Sequence, residues 1–295
     1  MGGILQIGLM QSKQYLKNLF QLNFSVLIIS TSGTLGRYID LPVPMIIFLR
    51  AAIGGVFLYL FCKWRKMSFT IQTKDRKTIF FSGVLMGLHW IFYFISLKLS
   101  SVAIGMLSVF TYPIITTFLE PIMLGSKFKN SNLLLGLMVL LGIYFLAPEI
   151  SLENDEFKAI GFGVFSAFCY SIRNIYMKSK AAEYEGSILM VYQLIIVTVL
   201  LSPIFIFYDT TGLESSLPAV LILALLTTAT GHTLFIYRFR NFTISAASII
   251  SGVQPVYGIL IGMIVLNEYP ALSTVFGGIL ILGTVVIESN RNFKN

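Results

Sequence analysis

Uninterrupted apolar runs of about 20 residues alternate along this chain with short polar connections, and none of the runs has the every-other-residue alternation of a barrel strand. The runs fall at 19–37, 43–62, 78–97, 102–124, 131–148, 159–178, 187–208, 217–237, 245–266 and 270–288. Each is long enough for an α-helix to cross the hydrocarbon core of a bilayer. A helix also satisfies its backbone amides within its own segment, as lipid demands. Connections such as Lys63-Trp64-Arg65-Lys66 followed by Lys74-Asp75-Arg76-Lys77, or the stretch from Glu149 to Glu156, leave no room for a soluble domain. The pattern predicts an all-α membrane protein with ten transmembrane helices.

Landmarks inside the runs recur at a nearly fixed separation. His89 precedes Pro113 by 24 residues and His232 precedes Pro255 by 23, while Gly136 and Gly142 correspond to Gly277 and Gly283, each pair six apart. Arg37 and Arg173 lie near the ends of the first helices of the two halves. The offsets of 143, 142, 141 and 136 residues predict one five-helix repeat over residues 1–150 and a second over 151–295. Five is an odd number, so the second copy enters the membrane upside down, the inverted repeat found in many secondary transporters.

Composition agrees with that picture. The 295 residues are 56% hydrophobic and 12% charged, where a soluble domain carries about 25% charged residues, so lipid must be the solvent for most of the exterior. A net charge of +8 would raise nucleic-acid binding in a soluble protein, but here the positives sit between apolar runs and sort by side. With ten spans, 16 Lys and Arg fall on the side of both termini and 3 on the other; Arg50 and Arg173, inside spans, complete the 21. This asymmetry predicts a plasma (cell inner) membrane protein with both termini cytoplasmic, surrounded by lipid and not by nucleic acid. Lys13 and Lys17 precede the first run with no small-residue cleavage pattern after it, which predicts an uncleaved first helix. Cys62 and Cys169 form neither a disulfide framework nor a metal-binding spacing, and no metal or cofactor is expected.

The segment Ser245-Ala246-Ala247-Ser248 through Gln254-Pro255, then Asn267-Glu268, then Gly277-Gly278-Ile279-Leu280-Ile281-Leu282-Gly283 resembles the EamA type of the drug/metabolite transporter superfamily. With the five-plus-five plan, the resemblance covers nearly the whole chain. It is similar to that family's small-residue helix start, mid-helix proline, glutamate at the helix end and glycine-bearing last helix. Arg50 also stands where the family often carries an arginine. Counting from the prolines, Glu268 corresponds to Ser126, so the first half lacks the terminal glutamate and has Glu120 further inside. The resemblance implies a central cavity lined by the first, third, fourth, sixth, eighth and ninth helices, with the fifth and tenth outside. It also implies a substrate among amino acids or related metabolites, moved outward.

Polar groups within the spans are the candidate working residues, because a charge at the bilayer centre costs roughly 2.5–3.5 kcal/mol on insertion scales. They are Arg50, His89, Glu120, Arg173, His232 and Gln254. His89 falls near the midplane, with Tyr93 and Ser96 following on the same helical face. Such a histidine is suited to hydrogen-bonding a substrate or to titrating in a proton-coupled cycle; as a neutral ring it can equally tie two helices together. His232, nearer the cytoplasmic end, reads as structural. Ser166, Tyr170, Arg173 and Asn174 make one polar stripe on the sixth helix, facing inward unless Arg173 snorkels to the interface. Arg50 suits attraction of a carboxylate or phosphate, or else caps carbonyls or pairs with Glu120, which lies at a different depth.

Pro113 and Pro255 are expected mid-helix, each removing a backbone donor where the chain lines a cavity, beside Tyr112, Gln254 and Tyr257. Trp90, Tyr93, Tyr112, Tyr170 and Tyr257 together suit an aromatic wall for a ring-bearing solute or a cation, although in a chain with 14% aromatics any single ring more often packs or faces lipid. Gly83-x-x-x-Gly87 and Gly258-x-x-x-Gly262 are close-packing signals.

The leading expectation is a secondary transporter that alternates access of a small-molecule substrate around a midplane site, with proton coupling through His89 as one mode. The rival is a membrane-embedded enzyme acting on a lipid-linked substrate. Such an enzyme wants paired acids, a His-Glu-x-x-His cluster or an activated Ser or Cys, and the chain has none. It also has no phosphate-binding loop to drive transport with ATP and no recognisable channel filter.

Overall fold

The computed structural model describes residues 2–125, 128, 130–146, 151–239 and 251–294, with side chains from residue 16 to 288 except at 131 and 236–239 within those ranges. The Ser245–Ser248 helix start and Ser126 lie outside the described residues. In chain order the helices are α1 (Gly2–Tyr38), α2 (Val43–Trp64), α3 (Arg76–Leu99), α4 (Val102–Val109), α5 (Tyr112–Leu124), α6 (Ser131–Leu146) and α7 (Asp155–Lys180). There follow α8 (Gly186–Leu201), α9 (Ile204–Phe207), α10 (Leu213–Leu221), a π-helical stretch (Ile222–Gly231), α11 (His232–Phe239), α12 (Gln254–Leu266) and α13 (Leu272–Lys294). A 3₁₀ turn at Thr73–Asp75 leads into α3, and no strand occurs among the described residues.

Among the described residues, six stretches are long and apolar enough to cross a bilayer: Leu16–Tyr38, Val43–Trp64, Thr73–Leu99, Val102–Leu124, Gly186–Phe207 and Leu213–Phe235. Asn132–Leu146, Gln254–Leu266 and Leu272–Glu288 are shorter apolar helices. The 26-residue α7 begins on a strong cap: Asn154 Oδ1 accepts from the amides of Glu156 and Phe157, and two acids occupy its first turn. Outward faces are greasy, as on α6, where Leu133, Leu137 and Leu140 are all more than half exposed. A surface of that kind is stable only in lipid. The protein is an all-helical integral membrane protein.

Contacts between the first and last parts of the chain build the bundle. α1 packs on α12 and on the π-helical stretch, while α7 packs on α4, α5 and α3. α2 lies against α8 and the π-helical stretch, α3 against α8, and α6 against α13. Small residues permit these approaches. A Cβ on Gly83 or Gly87 of α3 would press on Ile196 or Val197 of α8; one on Gly258 of α12 would overlap Met106 of α4, and one on Gly262 would touch Val102. Both four-residue glycine spacings are thus helix-packing faces. On α6 and α13 the backbones themselves meet: a Cβ on Gly277 would sit 2.6 Å from the Gly142 carbonyl oxygen.

Pro113 and Pro255, expected mid-helix, occupy the first turns of separate helical segments. α4 ends at Val109 and α5 restarts at Tyr112; on the other side Val253 is a turn residue and α12 starts at Gln254. In a first turn the amide that proline lacks has no helical partner to lose, so the break costs little there. The carbonyl just before each proline meets a serine across the bundle: Ser171 Oγ of α7 shares its proton between Ala167 O of its own helix at 2.8 Å and Tyr112 O at 2.9 Å, and Ser30 Oγ of α1 between Val26 O at 2.7 Å and Gln254 O at 3.0 Å.

Candidate functional site

Midway along α3, His89, Trp90 and Tyr93 line a cavity of about 340 Å³ in the interior of the bundle. α1 contributes Ile29 and Ser32, α4 and the residue after it Met106, Val109 and Phe110, and α5 Tyr112. Tyr170, Arg173 and Asn174 enter from α7, His232 and Phe235 from α11, and Ser251 and Gln254 from the middle of the ninth run. α2 also takes part through Arg50, although the second helix is not among those the resemblance assigns to the lining.

Arg50 is 1% exposed, the largest of the fully buried side chains. Its Nε donates to Thr228 Oγ1 at 2.7 Å and its Nη1 to Ser32 Oγ at 3.2 Å, and the guanidinium lies 4.1 Å from the centre of the Trp90 ring. Thr228 is presented by the π-helical stretch, where its own hydroxyl donates five residues back to Leu223 O at 3.1 Å. Widened turns of this kind are common at working sites. Of the alternatives for Arg50, pairing with Glu120 at its different depth does not occur; Glu120 bonds Lys178.

Arg173 does not snorkel. Gln193 Oε1 of α8 accepts from its Nε at 3.0 Å and its Nη2 at 2.7 Å, and Asn174 Oδ1 accepts from its Nη1 at 2.9 Å. His89 is gripped by α7: Ser166 Oγ donates to the His89 carbonyl at 2.8 Å and is 2.8 Å from His89 Nδ1. With the serine proton committed to that carbonyl, a neutral His89 donates from Nδ1 and keeps Nε2 as an acceptor. The Tyr170 ring stacks on His89 at 4.4 Å, and Tyr112 stands edge-on to Tyr170 at 5.0 Å. His232 Nδ1 lies 2.9 Å from Thr227 O, so the ring is anchored to its own helix while it lines the cavity.

Tyr257, Pro113, Pro255 and Glu120 are not part of the lining. Tyr257 follows Gln254 by nearly one turn, and from there its side chain does not reach the cavity.

The two ends of α3 carry polar clusters that join the two parts of the chain. Past its C-terminal end, Arg37 Nε of α1 bonds Glu268 Oε1 at 2.9 Å, Glu268 Oε2 accepts from Val102 N at 2.9 Å, and Arg37 Nη1 donates to Lys98 O at 2.6 Å. At its N-terminal end Asp75 accepts from Tyr184 OH at 2.6 Å and pairs with Lys180 at 2.8 Å. That carboxylate holds the Lys180 ammonium above the ordinary lysine range. Lys178 and Glu120 bridge α7 and α5. Glu120, inside the fourth run, therefore pairs with the end of α7 as Glu268 pairs with the end of α1. Lys178 lies 141 residues after Arg37.

A model of the EamA-like transporter family matches residues 18–147 and again residues 157–289. The chain belongs to the EamA-like transporter family. Among its relatives are two uncharacterized transporters of Bacillus subtilis, YwfM and YoaV. YwfM is 24% identical over 81% of this chain and 82% of its own length, and YoaV 26% identical over 82% and 85%. The pseudopaline exporter CntI of Pseudomonas aeruginosa is 22% identical over 82% of this chain and 84% of its own. A solved crystal structure superposes with a TM-score of 0.65 at 17% identity, covering 93% of this chain and 98% of the other, and shows the same fold. The named kin of this EamA-like protein are transporters, not enzymes.

Several residues of the site escape the sequence reading: Ser32, Thr228 and Gln193, which hold the two arginines, and Ser30 and Ser171, which hold the pre-proline carbonyls. The last two carried a usable signal, since they are 141 residues apart, the spacing of the other landmarks.

Proposed function

We propose that this EamA-like protein is a secondary transporter that exports a small metabolite, an amino acid or related compound, across the cytoplasmic membrane by alternating access. The observation that carries the reading is an interior cavity walled by helices from both parts of the chain, midway between two polar clusters at opposite ends of α3. At about 340 Å³ it falls at the small end of the range for small-molecule sites, roughly 300–1,000 Å³.

In this reading the chain has ten spans in two inverted halves, 1–150 and 151–295. The reciprocal contacts support it: α1 with α12 answers α7 with α4 and α5, and α2 with the π-helical stretch answers α8 with α3. The Lys and Arg asymmetry favours cytoplasmic termini. Export is favoured by the exporter among the relatives. His89, Trp90, Tyr93, Tyr112, Tyr170, Arg173 and Gln254 meet the substrate, Arg50 and His232 supply charge and polarity beside it, and His89 is the group placed to carry a coupled proton.

The test is His89→Ala in proteoliposomes. Expected is loss of transport with membrane insertion and folding intact; full activity would remove His89 from the mechanism.

A further inference from the structure

Among the described residues two arginines line the cavity, and no carboxylate answers either of them. Arg50 is held by two hydroxyls and the face of Trp90, and Arg173 by the amide oxygens of Gln193 and Asn174. These partners are neutral. No acidic residue among the described ones belongs to the lining. Those with an ion-pair partner among the described residues are at the ends of the bundle or in connections: Asp75, Glu120, Asp155, Glu183 and Glu268. A buried charge is ordinarily paired, because desolvation without a counter-ion is costly, and two uncompensated guanidiniums in one chamber mark a place kept for a negative charge.

The rest of the wall fits a compact organic anion. Guanidinium forks match the flat oxygens of carboxylate and phosphate. Tyr93, Tyr112 and Tyr170 offer ring faces and edges beside them. An ammonium group would meet no acid in this lining and two like charges.

We propose that the chamber is an anion site: it takes a carboxylate- or phosphate-bearing organic molecule of net negative charge with a flat or ring-bearing body, for which Arg50 and Arg173 are the counter-ions. Calling that anion the substrate rests on the transport reading above and narrows it from amino acids to related compounds of net negative charge; the site itself does not rest on that reading. An Arg retained for a ligand also has a stability signature. In the empty protein, replacing it with a neutral side chain relieves a desolvation cost, whereas removing a structural Arg does not.

Trp90 gives the readout, since the other tryptophan, Trp64, is exposed and Trp64→Phe leaves a single reporter in the chamber. Purified protein in nanodiscs is titrated with benzoate, phenyl phosphate, benzyl alcohol and benzylamine while Trp90 emission is followed. Expected is a saturable change with benzoate or phenyl phosphate, weakened at least about tenfold in Arg50→Gln and in Arg173→Gln, and partly restored in Arg50→Lys. The tighter of the two anions identifies the head group. Empty Arg50→Gln is expected to melt no lower than the parent. Should that variant fail to fold, Arg173→Gln and Arg50→Lys carry the test. Equal or better binding of benzylamine or benzyl alcohol, binding of no probe, or anion binding indifferent to both arginines overturns the proposal. Counterflow of the same labelled compounds in proteoliposomes separates the two readings. Arginine-dependent anion binding without counterflow leaves the site and removes the transport function; counterflow of the amine or alcohol alone leaves transport and removes the anion site.

Discussion

Glu268 illustrates how much one side chain can hold. Its two oxygens take Arg37 Nε from α1 and the amide of Val102, the first residue of α4, where the positive end of the helix dipole favours a carboxylate. Glu268→Ala removes both bonds and is expected to cost about 2 kcal/mol. The loss should appear as a lower midpoint in chemical denaturation, with Glu268→Gln between it and the parent; an unchanged midpoint in the Ala variant would mean that the contact carries no stability. The charged members of the site were legible because Arg50, His89 and Arg173 interrupt apolar runs. Their partners were not. Ser and Thr are common in spanning helices, where their hydroxyls usually bond a carbonyl of their own helix, as Thr198 does to Leu194 O, so spacing alone did not single out Ser32 or Thr228 as crossing to a neighbour.

Among the elements, α6 and α13 make the sharpest case for packing by glycine. The Gly277 position faces the Gly142 carbonyl and allows no Cβ, whereas a Cβ on Gly283 meets nothing within 4 Å. Gly277→Val is therefore expected to force the two helices apart and destabilise by about 1–3 kcal/mol, while Gly283→Ala stays within about 0.5 kcal/mol of the parent. Denaturant titration of the two variants checks the contrast, and equal effects would mean that this backbone contact is not the one that matters. The repeat landmarks were legible in the sequence, including the glycines six apart, but their roles were not. Gly142 and Gly277 meet each other although they are not counterparts in the spacing, and Gly136 instead faces Phe118. The same holds for the prolines. Their matched positions were plain, yet a proline in an apolar run reads alike as a kink or as a helix restart, and only the turn at Phe110–Thr111 distinguishes them.

At the scale of the whole molecule, the ion pairs that join the two parts of the chain among the described residues lie at its ends, and the chamber lies between. Arg37 with Glu268 joins α1 to the end of α12; Lys178 with Glu120 joins α7 to α5. The first pair is 33% and 23% exposed and the second 59% and 32%, so the first is the more enclosed lock. Exposed ion pairs contribute about 0–1 kcal/mol, weak enough to break and reform in each cycle. If access alternates, neither end can stay closed. Cysteines placed at 37 and 268, or at 120 and 178, in a chain whose native Cys62 and Cys169 are replaced by Ala, can be bridged by a short bis-methanethiosulfonate reagent. Either bridge alone is expected to reduce transport in proteoliposomes to that of empty liposomes, with recovery on reduction. A protein that is bridged at one end and still turns over at its unbridged rate does not open there, and the substrate must then take another route.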